Sequence, residues 1–329
     1  MSIRYPNMTN STSINLPWVE SPFFNQELRA ANLSPELEEQ MRRYAEDGYL
    51  IFDPEIDMNV LDEARDQVKP LYGNDLRKQD AWQTVPAVRT IATAPKIVEM
   101  LRMLYHREPI PFQTLNFPVG TQQRTHSDSI HFNSIPQRFM CGVWVALENV
   151  RPDNGPLHYY PGSHKLPFYD LIDMGLKGSE AKTVEDVYGK TYKAYEERLE
   201  EIVQAHGLKK ATLNMPKGKA IIWSSNLLHG GEKILTSGST RHSQVTHYFF
   251  ENCVYYTPLR SDATVDKLYV RKITNIATGQ AVDNKYFNES LRYVNEGYAQ
   301  RFAVPEQIMK IGAKMPPFLI RAVKKLLRK

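Results

Sequence analysis

His126-Ser127-Asp128 holds two side chains that can begin a metal site. On an extended strand, residues i and i+2 point to the same face, so this imidazole and this carboxylate can grip one ion from one side. A third ligand has to come from elsewhere. His229 can supply it, because it follows the apolar run Ala220-Ile221-Ile222-Trp223 and precedes Gly230-Gly231, a placement at the mouth of a neighbouring strand. Two histidines and one carboxylate on one face of an octahedron leave three positions open, the arrangement by which non-haem Fe(II) oxygenases hold a co-substrate and O2. The plain alternative is two core histidines and a turn aspartate, which leaves a carboxylate near apolar strands with no evident partner.

Other residues join the pattern. Arg241 lies twelve positions beyond His229, and Asn154-Gly155-Pro156-Leu157 leads into Pro161-Gly162-Ser163-His164-Lys165. With the His-x-Asp pair and the distal histidine, these resemble the phytanoyl-CoA dioxygenase family of Fe(II)- and 2-oxoglutarate-dependent oxygenases, over roughly residues 40 to 250. The resemblance implies a mainly β chain with added helices, built on a double-stranded β-helix (a cupin-like jelly roll) with the metal at one open end. It implies His126, Asp128 and His229 as ligands of Fe(II), with 2-oxoglutarate and O2 as co-substrates.

Arg241 then has a distinct task. A guanidinium offers a planar fork of donors that fits a carboxylate, so one arginine inside the barrel can hold the far carboxylate of 2-oxoglutarate. Its spacing from His229 is slightly longer than the family's, and the loop from Glu232 to Thr240 can absorb the difference. A surface arginine on a strand edge is the alternative. Trp144, eighteen residues after His126, stands where the family places an aromatic beside the co-substrate, and ordinary core packing would also explain it. Gln113, with Asn116 behind it, is the candidate for a polar contact that some relatives add on the preceding strand. His131 can face the substrate or serve as a hydrogen-bonded rim histidine. Pro161-Gly162-Ser163-His164 reads as a tight turn tied down by its histidine. His158, His206, His242 and His247 receive no catalytic role. Because related halogenases lack the metal-binding acid, Asp128 points to hydroxylation of an unactivated C–H, with release of succinate and CO2.

The elements that must position these residues are visible as periodicities. Ser34-Pro35 starts a helix that Gly48 stops, and Met58 to Val68 and Lys96 to Tyr105 form two more. From Phe112 the period becomes two, with Gln113, Leu115 and Phe117 on one face and Thr114 and Asn116 on the other. Strands are expected at Tyr49 to Phe52, Phe139 to Leu147, Leu157 to Tyr160, Lys219 to Trp223 and Arg241 to Phe250. Residues 183–206 read as an inserted helix that can roof the open end, Asp283 to Val294 as a later helix, and Phe318 to Leu327 as a final one. The expected organisation is an N-terminal extension over 1–33, the oxygenase domain over 34–256 with its insertion at about 176–210, and a C-terminal extension over 257–329 packed on the same domain.

Composition narrows the classes. With 329 residues and 42% hydrophobic content the chain can bury a sizeable core. Its net charge of +4 is uneven, since Arg321, Lys324, Lys325, Arg328 and Lys329 fall together at the end without an acid, and the rest is near neutral. That excludes nucleic-acid binding by charge. Cys141 and Cys253 are too few for a disulfide framework, which favours a reducing compartment. Met1 to Val19 has no apolar core of signal-peptide length, so a cytoplasmic protein is expected. Residues 316–329 alternate an apolar face with a basic one, the pattern of a helix lying on an anionic membrane and consistent with an acyl or lipid-linked substrate; a solvated terminal helix is the alternative. Two other functions compete: a degenerate barrel that binds without turnover, and a cupin-type metal-dependent isomerase or hydrolase, which would not need Arg241.

Overall fold

The structure, a computed structural model, describes residues 14–176, 187–265, 267–287, 289–291 and 299–300. A short helix α1 (Phe24–Ala30) leads to α2 (Pro35–Asp47), which is capped as the sequence requires. The Ser34 hydroxyl accepts from the Leu37 N–H, Pro35 sits at the first helical position, and Gly48 ends the helix in the left-handed region at φ 79°. The chain passes directly into β1 (Tyr49–Phe52), then α3 (Met58–Val68), β2 (Lys78–Gln79), α4 (Pro86–Ala92) and α5 (Pro95–Tyr105). These helices form an outer layer: Met41, Leu61, Val88 and Leu101 share one core with the sheet residues Val143, Val145, Ile222 and Phe250. Leu101 is fully buried there, so Leu101→Ala would cost about 2–5 kcal/mol. The stretch before residue 34, which shows no period, nevertheless buries Trp18, Phe24 and Leu28 in the same core.

Two sheets, of six and three strands, make the sandwich that holds the site. After β3 (Pro109–Phe117) come β4 (Asn133–Ile135), β5 (Met140–Ala146), β6 (Leu157–Tyr159), the helix α6 (Tyr192–Ala205), β7 (Ala211–Thr212), β8 (Ala220–Ser224), β9 (His229–Gly231), β10 (Ser243–Phe250) and β11 (Val254–Tyr256). The large sheet has the order β1-β8-β5-β10-β3-β2, the small sheet the order β7-β6-β9, and the paired strands within both are antiparallel. The mainly β jelly-roll expectation is met.

Alternation decides which residues face which layer. On β5, Val143 and Val145 enter the helix-side core and Trp144 the core between the sheets; on β8, Ile222 faces out while Ile221 and Trp223 face in. On β3, Gln113, Leu115 and Phe117 line an internal cavity, as their period predicts. Asn116 points the other way, donating to the Gln244 side chain, whose amide in turn donates to the Val88 carbonyl of α4. Asn116 is therefore removed as a site candidate.

Two expectations change in the second half. The inserted helix is α-helical from Tyr192, preceded by a π-helical turn over Val187–Thr191, and residues 177–186 lie outside the described part. The helix predicted near Asp283 to Val294 is not formed over its described residues. After β12 (Lys267–Leu268), β13 (Ile273–Asn275) and β14 (Gln280–Val282), the chain folds back as a hairpin of β15 (Lys285–Tyr286) and β16 (Glu289–Ser290), and β17 (Ala299–Gln300) pairs with β12. The physical reason is tertiary. Asn284 accepts from the Tyr255 N–H at 2.6 Å and donates to the Arg271 carbonyl at 2.9 Å, ties that compete with helical bonding. The basic terminal segment 316–329 lies outside the described residues. Among those described, no helix is long and apolar enough to cross a membrane.

Candidate metal centre

His126 and His229 sit side by side because their backbones pair. His126 N–H donates to the His229 carbonyl at 2.8 Å and His229 N–H to the His126 carbonyl at 2.9 Å, an isolated antiparallel bridge that continues the small sheet beyond β9. Their ring centroids are 4.4 Å apart. Ser127 is extended (φ −118°, ψ 138°), which carries Asp128 to the same side as His126, and Asp128 itself opens a short 3-10 turn, Asp128–Ile130. The expected strand thus ends at the aspartate. Asp128 Oδ1 lies 3.9 Å from the Nε2 atoms of both His126 and His229, and the donor atoms of all three residues fall within 4.8 Å of one another.

Each ligand is oriented from behind. His126 Nδ1 bonds the Arg124 carbonyl and His229 Nδ1 the Leu227 carbonyl, both at 2.9 Å. A carbonyl can only accept, so Nδ1 carries the proton and Nε2 keeps its lone pair for the metal. Burial, and then the neighbouring His229, push the His126 imidazole down to about 4; burial also lowers His229. Burial opposes ionisation of Asp128, but His229, His247 and His126 around it and the Trp223 N–H outweigh it and hold its pKa at about 2. Two neutral imidazoles and one carboxylate are the protonation state a divalent cation needs.

Trp223 and His247 were not singled out by sequence. The Trp223 indole Nε1 donates to Asp128 Oδ2 at 2.8 Å, which leaves Oδ1 for the ion. The indole fits only because β5 has a glycine opposite: a Cβ on Gly142 would lie 2.4 Å from the Trp223 ring. His247 Nε2 is 3.7 Å from Asp128 Oδ2, and its Nδ1 bonds the Gln113 side-chain oxygen at 3.1 Å. The available signal was parity, since Arg241, Ser243, Val245 and His247 alternate onto one face of the strand.

A cavity of about 410 Å³ has the triad, Gln113, Trp144, His131 and Arg241 in its wall. Arg241 is 1% exposed, and its Nε and Nη1 atoms have no partner among the described residues. Its guanidinium lies 5.2 Å from the Trp144 ring centroid. Burial brings its pKa down to about 10, with Glu148 acting the other way, so it remains a cation at neutral pH. Ser243, two residues on, also has a buried hydroxyl without a partner among the described residues. Trp144 packs between the sheets and faces the cavity. His131 lines the cavity with its ring 4.7 Å from Tyr192 of α6, whose hydroxyl accepts from Gln123. The insertion therefore contributes Tyr192 to the cavity wall. His164 has the structural role expected of it, its Nε2 bonded to the Ala45 carbonyl.

Known proteins are similar to this chain in sequence and in fold. The chain is 25% identical over 177 residues to "Phytanoyl-CoA dioxygenase domain-containing protein 1" of Danio rerio, a match covering 53% of this chain and 56% of that protein, so it spans about half the length of this relative. Among solved structures, the non-heme alpha ketoglutarate dependent carbocyclase SnoK aligns with TM-score 0.52 at 18% identity, covering 69% of this chain and 87% of SnoK. EctD from S. alaskensis, solved with 2-oxoglutarate and 5-hydroxyectoine, aligns with TM-score 0.52 at 17% identity, covering 78% of this chain and 89% of EctD. At such identities these two establish the shared fold. The phytanoyl-CoA dioxygenase (PhyH) family model matches residues 36–243, more than half of the sequence, and the chain belongs to that family.

Proposed function

We propose that the protein is an Fe(II)- and 2-oxoglutarate-dependent dioxygenase that hydroxylates an unactivated C–H of a small-molecule or acyl substrate. The observation that carries this is a pairing within one cavity: three clustered metal donors and a buried guanidinium with orphaned N–H groups. The donors suit a divalent ion that must keep positions open. The guanidinium suits a carboxylate at the far end of a chelating keto acid. A cupin-type isomerase or hydrolase would have no use for that buried cation.

The chain's own residues divide the work. His126 and His229 present Nε2, and Asp128 presents one oxygen while Trp223 holds the other. Arg241 receives the far carboxylate, with the Trp144 ring beside it and the Ser243 hydroxyl on the same strand face. Gln113 acts by fixing the His247 ring. The α6 roof, through Tyr192, excludes water from the reacting carbon. When bound, iron and 2-oxoglutarate supply oxidation of a C–H by O2, with succinate and CO2 released. EctD supports this assignment as a relative in fold solved with 2-oxoglutarate and 5-hydroxyectoine. SnoK, a carbocyclase, marks the other outcome that this fold accommodates.

Anaerobic titration of the metal-free protein with Fe(II) and then 2-oxoglutarate tests the assignment. A visible charge-transfer band of the chelated keto acid is expected, with its loss in His229→Ala. Iron binding without a band refutes the 2-oxoglutarate assignment. Product analysis under O2 then separates hydroxylation from ring closure or epimerisation.

A further inference from the structure

The cavity wall has a second guanidinium that the metal and 2-oxoglutarate leave without a task. Arg271 lines the cavity from the segment between β12 and β13, beyond the residues 36–243 that carry the family pattern. Its position is fixed from several sides. Its N–H donates to the Tyr255 carbonyl at 2.8 Å, its carbonyl accepts from Asn284, and Nη1 donates to Thr257 Oγ1 at 2.9 Å. The guanidinium lies over the Phe132 ring, 4.7 Å from its centroid, and Phe132 in turn lies 4.9 Å from His247. A planar cation stacked on an aromatic keeps the direction of its donors while its five N–H groups can serve more than one acceptor.

Arg241 and Arg271 occupy different ends of the cavity. Arg241 N–H bonds the Pro118 carbonyl just past the end of β3, whereas Arg271 stands 5.9 Å from Phe112 near the beginning of that strand. Phe112 and Pro118 are separated by roughly 20 Å of extended chain. A keto acid whose far carboxylate is on Arg241 is thus anchored near the opposite end of β3 from Arg271. Among the described residues lining the cavity, three arginines (Arg77, Arg241 and Arg271) stand beside one acid, Asp128, which is engaged as a metal donor.

Resting on the oxygenase function above, we propose that the substrate carries an anionic group, a carboxylate or a phosphate, and that Arg271 receives it so that a nearby C–H faces the metal. Arg77, exposed at the rim next to β2, adds attraction for the incoming anion without a fixed contact. Substrate choice then resides in the C-terminal segment, apart from the chemistry shared by the family.

The test uses the full-length protein loaded anaerobically with Fe(II) and 2-oxoglutarate, titrated with hexanoate, hexyl phosphate and hexanamide. Perturbation of the charge-transfer band and equilibrium dialysis are the readouts. One of the two anions is expected to bind at least about tenfold more tightly than hexanamide, and which one does so distinguishes carboxylate from phosphate. Arg271→Gln removes that preference while the 2-oxoglutarate band persists, which shows an intact pocket; Arg271→Lys retains part of it; Arg77→Gln weakens anion binding by less than Arg271→Gln. Equal binding of hexanamide, no saturable binding of either anion, or an Arg271→Gln protein that keeps the preference overturns the proposal. Absence of the band in the wild type overturns the oxygenase function instead. Dialysis of the metal-free protein still measures anion preference in that case, so the two failures are separate.

Discussion

The metal end and the Arg241 end of one cavity are built in opposite ways. Around the triad, both Nδ1 atoms, the outer Asp128 oxygen and the Ser127 hydroxyl are all engaged by neighbours. Around Arg241, two guanidinium nitrogens and the Ser243 hydroxyl are buried and have no partner among the described residues. The first region is oriented before anything binds. The second keeps polar atoms out of water at a cost of about 1–3 kcal/mol each, which a ligand carboxylate would offset. Orientation and unmet hydrogen bonding are thus two separate signs of a ligand site.

Breaking the metal end gives the largest expected effect. Asp128→Ala or His229→Ala should leave no saturable Mn(II) binding in an anaerobic spin-resonance titration, and normal affinity in both would place the metal elsewhere. Arg241 should behave differently. Arg241→Leu should keep Mn(II) but weaken 2-oxoglutarate on the order of a hundredfold, read from the charge-transfer titration. The same variant should stabilise the ligand-free protein by about 1–3 kcal/mol in denaturant unfolding, because it removes a buried cation whose Nε and Nη1 have no hydrogen-bond partner among the described residues. A stability loss there would contradict the idea that Arg241 awaits a partner. Trp223→Phe should cost about tenfold in Mn(II) affinity, as removal of an outer hydrogen bond to a ligand commonly does, with little effect on 2-oxoglutarate at saturating metal. The smallest effect concerns pH. Protons compete with metal only below a ligand's pKa, and His126 is held near 4. Mn(II) affinity should therefore show no inflection near 6.5 and should fall only at lower pH, as a titration series from pH 8 downward would show.

How legible each part was in the sequence follows from how local its cause is. The triad could be read because His126 and Asp128 share one extended segment and His229 sits at a strand mouth. The inward face of β3 could be read from period two alone. Trp223 and His247 could not, since their closeness to Asp128 depends on register across three strands: Gly142 pairs with Trp223 on one side and with His247 on the other. The hairpin over 285–290 was hidden by helix-like spacing, while its cause, the Asn284 ties, lies in contacts to Tyr255 and Arg271. Residues 14–33 show no period because their one α-helix, α1, is only seven residues long, yet Trp18, Val19, Phe24 and Leu28 anchor the stretch in the core.

The mutual hydrogen bonds between the His126 and His229 backbones make the two histidine ligands one mechanical unit. Neither strand can peel away without separating both imidazoles. Metal release by local opening and exchange of these two amide protons with solvent would then be the same event seen by different probes. Bound metal should slow exchange at His126 and His229 in step with its occupancy, and the backbone itself becomes a clock for how long the ion stays.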